Sequence, residues 1–272
     1  MSDAPADPSE EFTQALAPLV AAPASSAVVV DYDGTLAPIV EDPEAAVPAP
    51  GATAALADVA DGFGLVAVVS GRPLSFLARQ LGGVPDTVRL AGLYGLEQRG
   101  PEGVRLVEEA GAWAGIVQEV AARLRRTAPP GVRVEDKGLG VTVHWRLAPE
   151  AAAWAQSAAD DEAARSGLRA QPGKMSVELR LPLEVDKGTA LRHLVSGCSA
   201  VLFIGDDRGD LPAFAALARL RAEERTATVS VAVRSAETPD AVLEAADLTV
   251  EGPAGAVALL GWLARRARAA PG

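Results

Sequence analysis

Two aspartates one residue apart, Asp31 and Asp33, directly follow the β-branched run Val28-Val29-Val30 and lead into Gly34-Thr35. A short, uninterrupted apolar run of this kind reads as a central strand of a parallel sheet, and the glycine marks the turn that leaves it. Ligand sites in such sheets lie beyond the carboxyl ends of the strands. A carboxylate in that position can attack an electrophile, or it can hold a hard cation such as Mg²⁺ through oxygen. Solvating a strand-to-loop turn is the ordinary alternative. Three more segments add chemistry of the same kind. Ser70-Gly71-Arg72-Pro73 follows the apolar run Leu65–Val69, where a hydroxyl and backbone N–H groups at the start of a helix would favour an anion. Lys187 opens a helical pattern, against the helix dipole, and so asks for an anionic partner. Gly205-Asp206-Asp207-Arg208-Gly209-Asp210 follows the apolar run Val201–Ile204. Three carboxylates so close together repel one another unless a cation neutralises them.

The elements that must position these groups alternate. Strand-like runs at Val28–Val30, Leu65–Val69 and Val88–Ala91 are separated by helical patterns at Ala52–Ala60 and Leu74–Leu81. The alternation resumes with strands at Val201–Ile204, Val229–Val233 and Leu248–Val250, and with helices at Gly188–Val195, Leu211–Leu220, Pro239–Ala245 and Ala254–Ala269. Such alternation argues for an α/β fold with a doubly wound parallel sheet. Between the two blocks the rhythm changes to helix, strand, strand, used twice: Ala112–Arg126, Val132–Glu135 and Gly140–Trp145, then Pro149–Ser166, Leu168–Ala170 and Ser176–Leu181. The expected organisation is therefore a flexible N-terminal segment over 1–25, a core domain over 26–103 and 184–272, and an inserted α/β cap domain over 104–183 with an antiparallel sheet.

Composition limits what the chain can meet. With 272 residues, 49% of them hydrophobic, there is enough apolar surface for one well-filled core and a smaller second one. A net charge of −11 argues against a nucleic-acid partner, because phosphate backbones are bound by excess Lys and Arg. No apolar run is long enough to suggest a membrane span, and the first residues lack the pattern of a secretory signal. The single cysteine, Cys198, cannot form an internal disulfide, which fits a reducing cytoplasm. A monomer is expected. Of the 25 basic residues only Lys137, Lys174 and Lys187 are lysines, so each is a candidate for a role that needs a compact, rotatable ammonium.

Asp31-Tyr32-Asp33-Gly34-Thr35-Leu36 resembles the first motif of the haloacid-dehalogenase-like phosphohydrolases, and the other three segments occur in that superfamily's order. The resemblance implies a Rossmann-like core with Asp31 as the nucleophile that becomes an aspartyl phosphate. Asp33 would then be the general acid and base, Ser70 and Lys187 would contact the phosphoryl group with help from Gly71 and Arg72, and Mg²⁺ would be the cofactor. The metal set is Asp31, Asp33 through its backbone carbonyl, and Asp206, with Asp207 and Asp210 reaching the ion through water. Gly92-Leu93-Tyr94-Gly95-Leu96-Glu97 and, in the inserted segment, Val134-Glu135-Asp136-Lys137-Gly138, His144-Trp145-Arg146 and Gly173-Lys174-Met175-Ser176-Val177-Glu178-Leu179-Arg180 resemble the trehalose-6-phosphate phosphatases. By that resemblance Glu135, Lys137 and Glu178 hold the distal glucose, with Lys174 nearby, and the substrate is the small-molecule sugar phosphate trehalose 6-phosphate. Charged acceptors and donors suit a disaccharide rich in hydroxyls. The chain departs from the family in having Gly209-Asp210-Leu211 where Thr-Asp-Glu is frequent. Two other readings stay open: a phosphatase for sucrose phosphate or a mannosyl phosphate, and a silent sugar-phosphate sensor, whose signature would be loss of Asp31 or Asp33.

Overall fold

The computed structural model describes residues 10–40, 42–173, 175–223 and 226–269. In chain order the flanking elements begin with α1 (Glu10–Ala21), β1 (Ser26–Val30), α2 (Ala52–Ala60), β2 (Leu65–Val69), α3 (Leu74–Gln80), β3 (Val88–Gly92), β4 (Glu97–Gly100) and β5 (Gly103–Leu106). The inserted elements are α4 (Ala114–Thr127), β6 (Arg133–Asp136), β7 (Gly140–His144), α5 (Ala152–Ser166), β8 (Arg169–Gly173) and β9 (Ser176–Arg180). The chain then continues with α6 (Lys187–Leu194), β10 (Ala200–Gly205), α7 (Leu211–Glu223), β11 (Ala227–Arg234), α8 (Asp240–Ala245), β12 (Leu248–Glu251) and α9 (Gly252–Ala269). Two compact units result: Leu106–Glu184, and the chain on either side of it up to Arg105 and from Val185.

In the larger unit the strand order is β12-β11-β10-β1-β2-β3-β4-β5, parallel from β12 to β3. After β1 the chain fills one side of the sheet with β2 and β3, then returns to fill the other with β10, β11 and β12. The order therefore reverses at the β1/β10 pair, and a ligand crevice belongs at the carboxyl ends of those two strands. Alternation along each strand feeds two cores. Val28, Val30, Val66, Val68, Leu202 and Ile204 pack with Leu16 and Leu19 of α1, Leu56 of α2 and Leu260 and Leu263 of α9. Ala27, Val29, Val69, Val201 and Phe203 pack on the other side with Leu191 of α6, Phe214 and Leu217 of α7 and Val242 of α8.

Two features differ from the sequence reading. The segment expected to be loosely attached over 1–25, with a short helix around Glu11–Leu19, does carry the helix, over Glu10–Ala21, but it is docked, with Leu16 and Leu19 fully buried in the first core. Its Ala- and Pro-rich composition concealed two leucines three positions apart, enough to seat one helix face. The sheet is also mixed, because β4 pairs antiparallel with β3 and β5 follows it at the edge. Glu-Gln-Arg-Gly of β4 carries no apolar alternation, and in the edge strand β5 Val104 and Leu106 alternate but are exposed, so neither strand feeds a core.

The inserted unit has an antiparallel sheet in the order β6-β7-β9-β8, with α4 and α5 on one face. Val141, Val143, Val177 and Leu179 are buried on that face together with Val120 and Leu124 of α4 and Ala155 and Ala159 of α5. Between the helices, Arg123 donates to both oxygens of the buried Glu162.

Candidate active site

Strand β1 carries Asp31 to the reversal point, where its N–H donates to the Ile204 carbonyl of β10 at 2.9 Å. The carboxylate is buried, and Lys187 Nζ lies 2.7 Å from Asp31 Oδ1 and 2.7 Å from Asp210 Oδ1. Asp186 caps α6 by accepting from the Thr189 N–H at 2.7 Å, which fixes Lys187 as the first helical residue. The anionic partner that a lysine in this place requires is thus Asp31, and Asp210 is a second. Asp210 is itself braced: its Oδ2 accepts from the backbone N–H groups of Asp206 and Asp207 at 2.9 and 3.0 Å. Thr35 donates to Asp206 Oδ1 at 3.2 Å, joining the two loops. Gly34 has φ +76°, and a Cβ there would fall inside the Asp206 carboxylate, so both the backbone angle and the space demand glycine.

Asp31, Asp206 and Asp210 offer oxygens that all lie within 4.8 Å of one another, and all three residues are buried. Burial pushes the Asp31 carboxyl well above the usual range, against the pull of Lys187. Burial, with Asp210 and Asp207 adding to it, pushes Asp206 up to about 8. Asp210 is also raised by burial, though Lys187 opposes the shift. Burial alone would discharge Lys187, but Asp210 and Asp31 hold its ammonium well above the ordinary lysine range. One ammonium does not balance three carboxylates, and an all-oxygen donor set suits a hard divalent cation.

Asp33 faces a different partner. Arg72 Nε and Nη2 donate to its two oxygens at 2.8 Å each, while the guanidinium lies 4.5 Å over the Phe76 ring. Asp33 and Asp207 therefore stand outside the buried triad, and Asp207 instead accepts the Gly209 N–H at 2.8 Å on an exposed turn. Ser70 is buried and accepts the Arg72 N–H at 3.1 Å. Helix α3 begins only at Leu74, so Ser70 shapes the turn before the helix without capping it. Glu97 accepts the Leu74 N–H at 2.6 Å in its place, a role that a carboxylate 23 residues away gave no local sign of. Gly71 lies under Tyr94, whose ring would collide with a side chain there.

In the inserted unit the helix-free face of the sheet is polar. The register places Glu135, Thr142, Glu178 and Gln171 side by side across all four strands. Lys137 donates to Glu178 at 2.7 Å, and His144 Nε2 lies 2.8 Å from Glu135 Oε2. Thr142 Oγ1 is buried among them and has no partner among the described residues, a polar atom left over in the middle of the row. Sequence reading named Glu135, Lys137 and Glu178. It missed Thr142, whose only signal was its parity with Glu135 across the hairpin, and it set His144 aside as an ordinary strand residue. Lys174 lies outside the described residues.

The larger unit has the fold of haloacid-dehalogenase-like hydrolases. A Bacteroides thetaiotaomicron member of that class superposes with a TM-score of 0.60 at 16% identity, covering 86% of this chain and 98% of its own. A trehalose-6-phosphate phosphatase related protein gives 0.74 at 24% identity, covering 88% and 97%. The C-terminal domain of Candida albicans trehalose-6-phosphate phosphatase gives 0.71 at 22%, covering 91% and 96%. The trehalose-phosphatase family model matches residues 29–249, and the chain belongs to that family. Trehalose-phosphate phosphatase of Mycobacterium marinum is 39% identical over 206 residues, 70% of this chain and 51% of its own. The Mycobacterium tuberculosis protein of the same name is 36% identical over 260 residues, 90% of this chain and 63% of its own. The chain thus spans about half to two thirds of the length of these relatives.

Proposed function

We propose that this chain is a phosphoric monoester hydrolase that converts trehalose 6-phosphate to trehalose and inorganic phosphate through a phosphorylated Asp31. The observation that carries the reading is the buried Asp31 carboxylate, held at 2.7 Å by Lys187 beside Asp206 and Asp210 at the reversal point of the sheet. Family membership supports the choice of substrate. An Asp31 oxygen attacks phosphorus, the sugar oxygen leaves with a proton from Asp33, and water activated by Asp33 then cleaves the acyl phosphate. Asp33 can serve only after parting from Arg72, whose guanidinium is then available to the phosphoryl oxygens along with Ser70, the Gly71 backbone and Lys187. Asp31, Asp206 and the Asp33 carbonyl would hold Mg²⁺, with Asp207 and Asp210 reaching it through water. When bound, the ion supplies positive charge for the phosphoryl oxygens. Asp210 has the further task of orienting Lys187.

The inserted unit acts as the cap in this reading, with Glu135, Lys137 and Glu178 reading the distal sugar, Lys174 nearby, and the Thr142 hydroxyl as a further donor. The chain is taken to work as a cytoplasmic monomer. Phosphate release from trehalose 6-phosphate, measured beside glucose 6-phosphate and sucrose 6-phosphate with Mg²⁺ present, tests the proposal. Preference for trehalose 6-phosphate is expected. Preference for sucrose 6-phosphate would move the chain to another sugar phosphate, and no release from any of them would leave it a sensor.

A further inference from the structure

Between β3 and β4 the chain makes one tight turn, Leu93–Gly95, in left-handed backbone throughout: φ is +49° at Leu93, +60° at Tyr94 and +98° at Gly95. Glycine takes that conformation freely, but a residue with a Cβ is strained in it, and the strain persists only where the surroundings impose it. On one side those surroundings are the Ser70–Arg72 turn. The Leu93 N–H donates to the Arg72 carbonyl and the Tyr94 N–H to the Ser70 carbonyl, each at 2.9 Å. On the other side is the first turn of α6, where a Cβ on Gly95 would lie 2.8 Å from the Ala190 Cβ. The strained turn is therefore wedged between Ser70–Arg72 and the end of α6 that carries Lys187. Leu93 is buried, which accounts for its side chain. Tyr94 is only partly buried, and its ring lies against Gly71, where a Cβ would fall 2.7 Å from Tyr94 Oη and 2.8 Å from Cζ.

We propose that Tyr94 is a positioning residue for the phosphoryl group: its backbone and its ring fix the Ser70-Gly71-Arg72 turn against α6, so that the Gly71 N–H, the Ser70 hydroxyl and the Lys187 ammonium converge on one tetrahedral oxyanion. The role rests on the reading of those three groups as the phosphoryl seat. The peptide geometry supplies the means. The Ser70–Gly71 peptide is planar and trans, so a Ser70 carbonyl aimed at the Tyr94 N–H turns the Gly71 N–H to the opposite side. That N–H has no acceptor among the described residues, as a donor kept for a ligand would. The Tyr94 ring, packed on the one residue of the turn that lacks a side chain, stops the peptide from rotating. Donors already aimed need no reordering when the anion arrives.

Inorganic phosphate, titrated calorimetrically into the whole chain with Mg²⁺ present, reads the seat without turnover. Tyr94→Gly keeps the left-handed backbone, relieves its strain and removes the ring, whereas Tyr94→Phe keeps the ring and removes the hydroxyl. Phosphate affinity should fall about tenfold or more in Tyr94→Gly and stay within about twofold of the parent in Tyr94→Phe. In Tyr94→Gly, kcat/KM should fall alike for trehalose 6-phosphate and p-nitrophenyl phosphate, because both esters place the same group in the seat. Unchanged phosphate affinity in Tyr94→Gly would overturn the role, and so would a parent chain that binds no phosphate. Equal losses in Tyr94→Phe and Tyr94→Gly would overturn it too, since the hydroxyl would then act by direct contact. Hydrolysis by the parent is read separately. Phosphate binding that depends on the Tyr94 ring, in a parent that hydrolyses no ester, would sink the proposed reaction and leave the role of the turn standing.

Discussion

Lys187 and the three carboxylates around it form a charge cluster whose balance sets two measurable properties. Removing the ammonium leaves Asp31 and Asp210 buried without a counter-charge. Lys187→Met should lower unfolding free energy by about 3–5 kcal/mol and abolish turnover. Urea denaturation checks this, and stability equal to that of the parent would mean that the pair is not a structural charge balance. The second property is pH dependence without metal. A carboxyl raised in the folded state binds its proton there more tightly than in the unfolded chain, so its contribution favours folding at low pH and is lost as pH rises. For Asp206 the loss spans the interval from the ordinary carboxylate value of 3.8 to about 8. In EDTA the melting temperature should therefore fall between pH 5 and pH 8, Asp206→Asn should flatten that fall, and added Mg²⁺ should raise the melting temperature more at pH 8 than at pH 5. A flat profile for the parent chain in EDTA would contradict the crowded-charge picture.

At the scale of elements, α1 gives the clearest test of what composition concealed. Leu16 is fully buried between α1 and the sheet, so Leu16→Ala should cost about 2–5 kcal/mol by urea denaturation, where a loosely attached segment would cost almost nothing. The strands and helices that build the two cores were legible because their apolar runs are dictated by burial on both faces of the sheet, and most of their ends fall within two residues of the expected ones. The edge hairpin was not, because Glu97–Gly100 has no apolar alternation and the apolar Val104 and Leu106 of the edge strand are exposed and join no core. The same division applies to the site. Asp31, Ser70, Lys187 and Asp206 stand at or near strand ends and helix starts, where residue type and position together mark a candidate site. The Arg72–Asp33 pair, the Glu97 contact with Leu74 and the orphan hydroxyl of Thr142 depend on which segments the sheet brings side by side, which no local pattern encodes.

At the scale of the molecule, the insertion divides the chain into two compact units. The larger holds the carboxylate cluster, and the smaller presents the Glu135–Thr142–Glu178–Gln171 row on a sheet whose other face is filled by α4 and α5. If that row reads the sugar, its loss should be felt by substrates that carry one. Glu178→Gln should raise KM for trehalose 6-phosphate by about 10–100-fold. It should leave kcat/KM for p-nitrophenyl phosphate within about twofold of the parent, since that ester offers no sugar hydroxyls. Equal losses on both substrates would place Glu178 in general support of the fold and not in recognition.

The central claim is that the Asp31 carboxylate carries the phosphoryl group between donor and water. Acid-quenching the enzyme during turnover of trehalose 6-phosphate and mapping its peptides by mass spectrometry tests this most directly. The account predicts a hydroxylamine-labile phosphoryl adduct on Asp31, absent together with turnover in Asp31→Asn. Steady hydrolysis by Asp31→Asn, or an adduct on a different side chain, would contradict it.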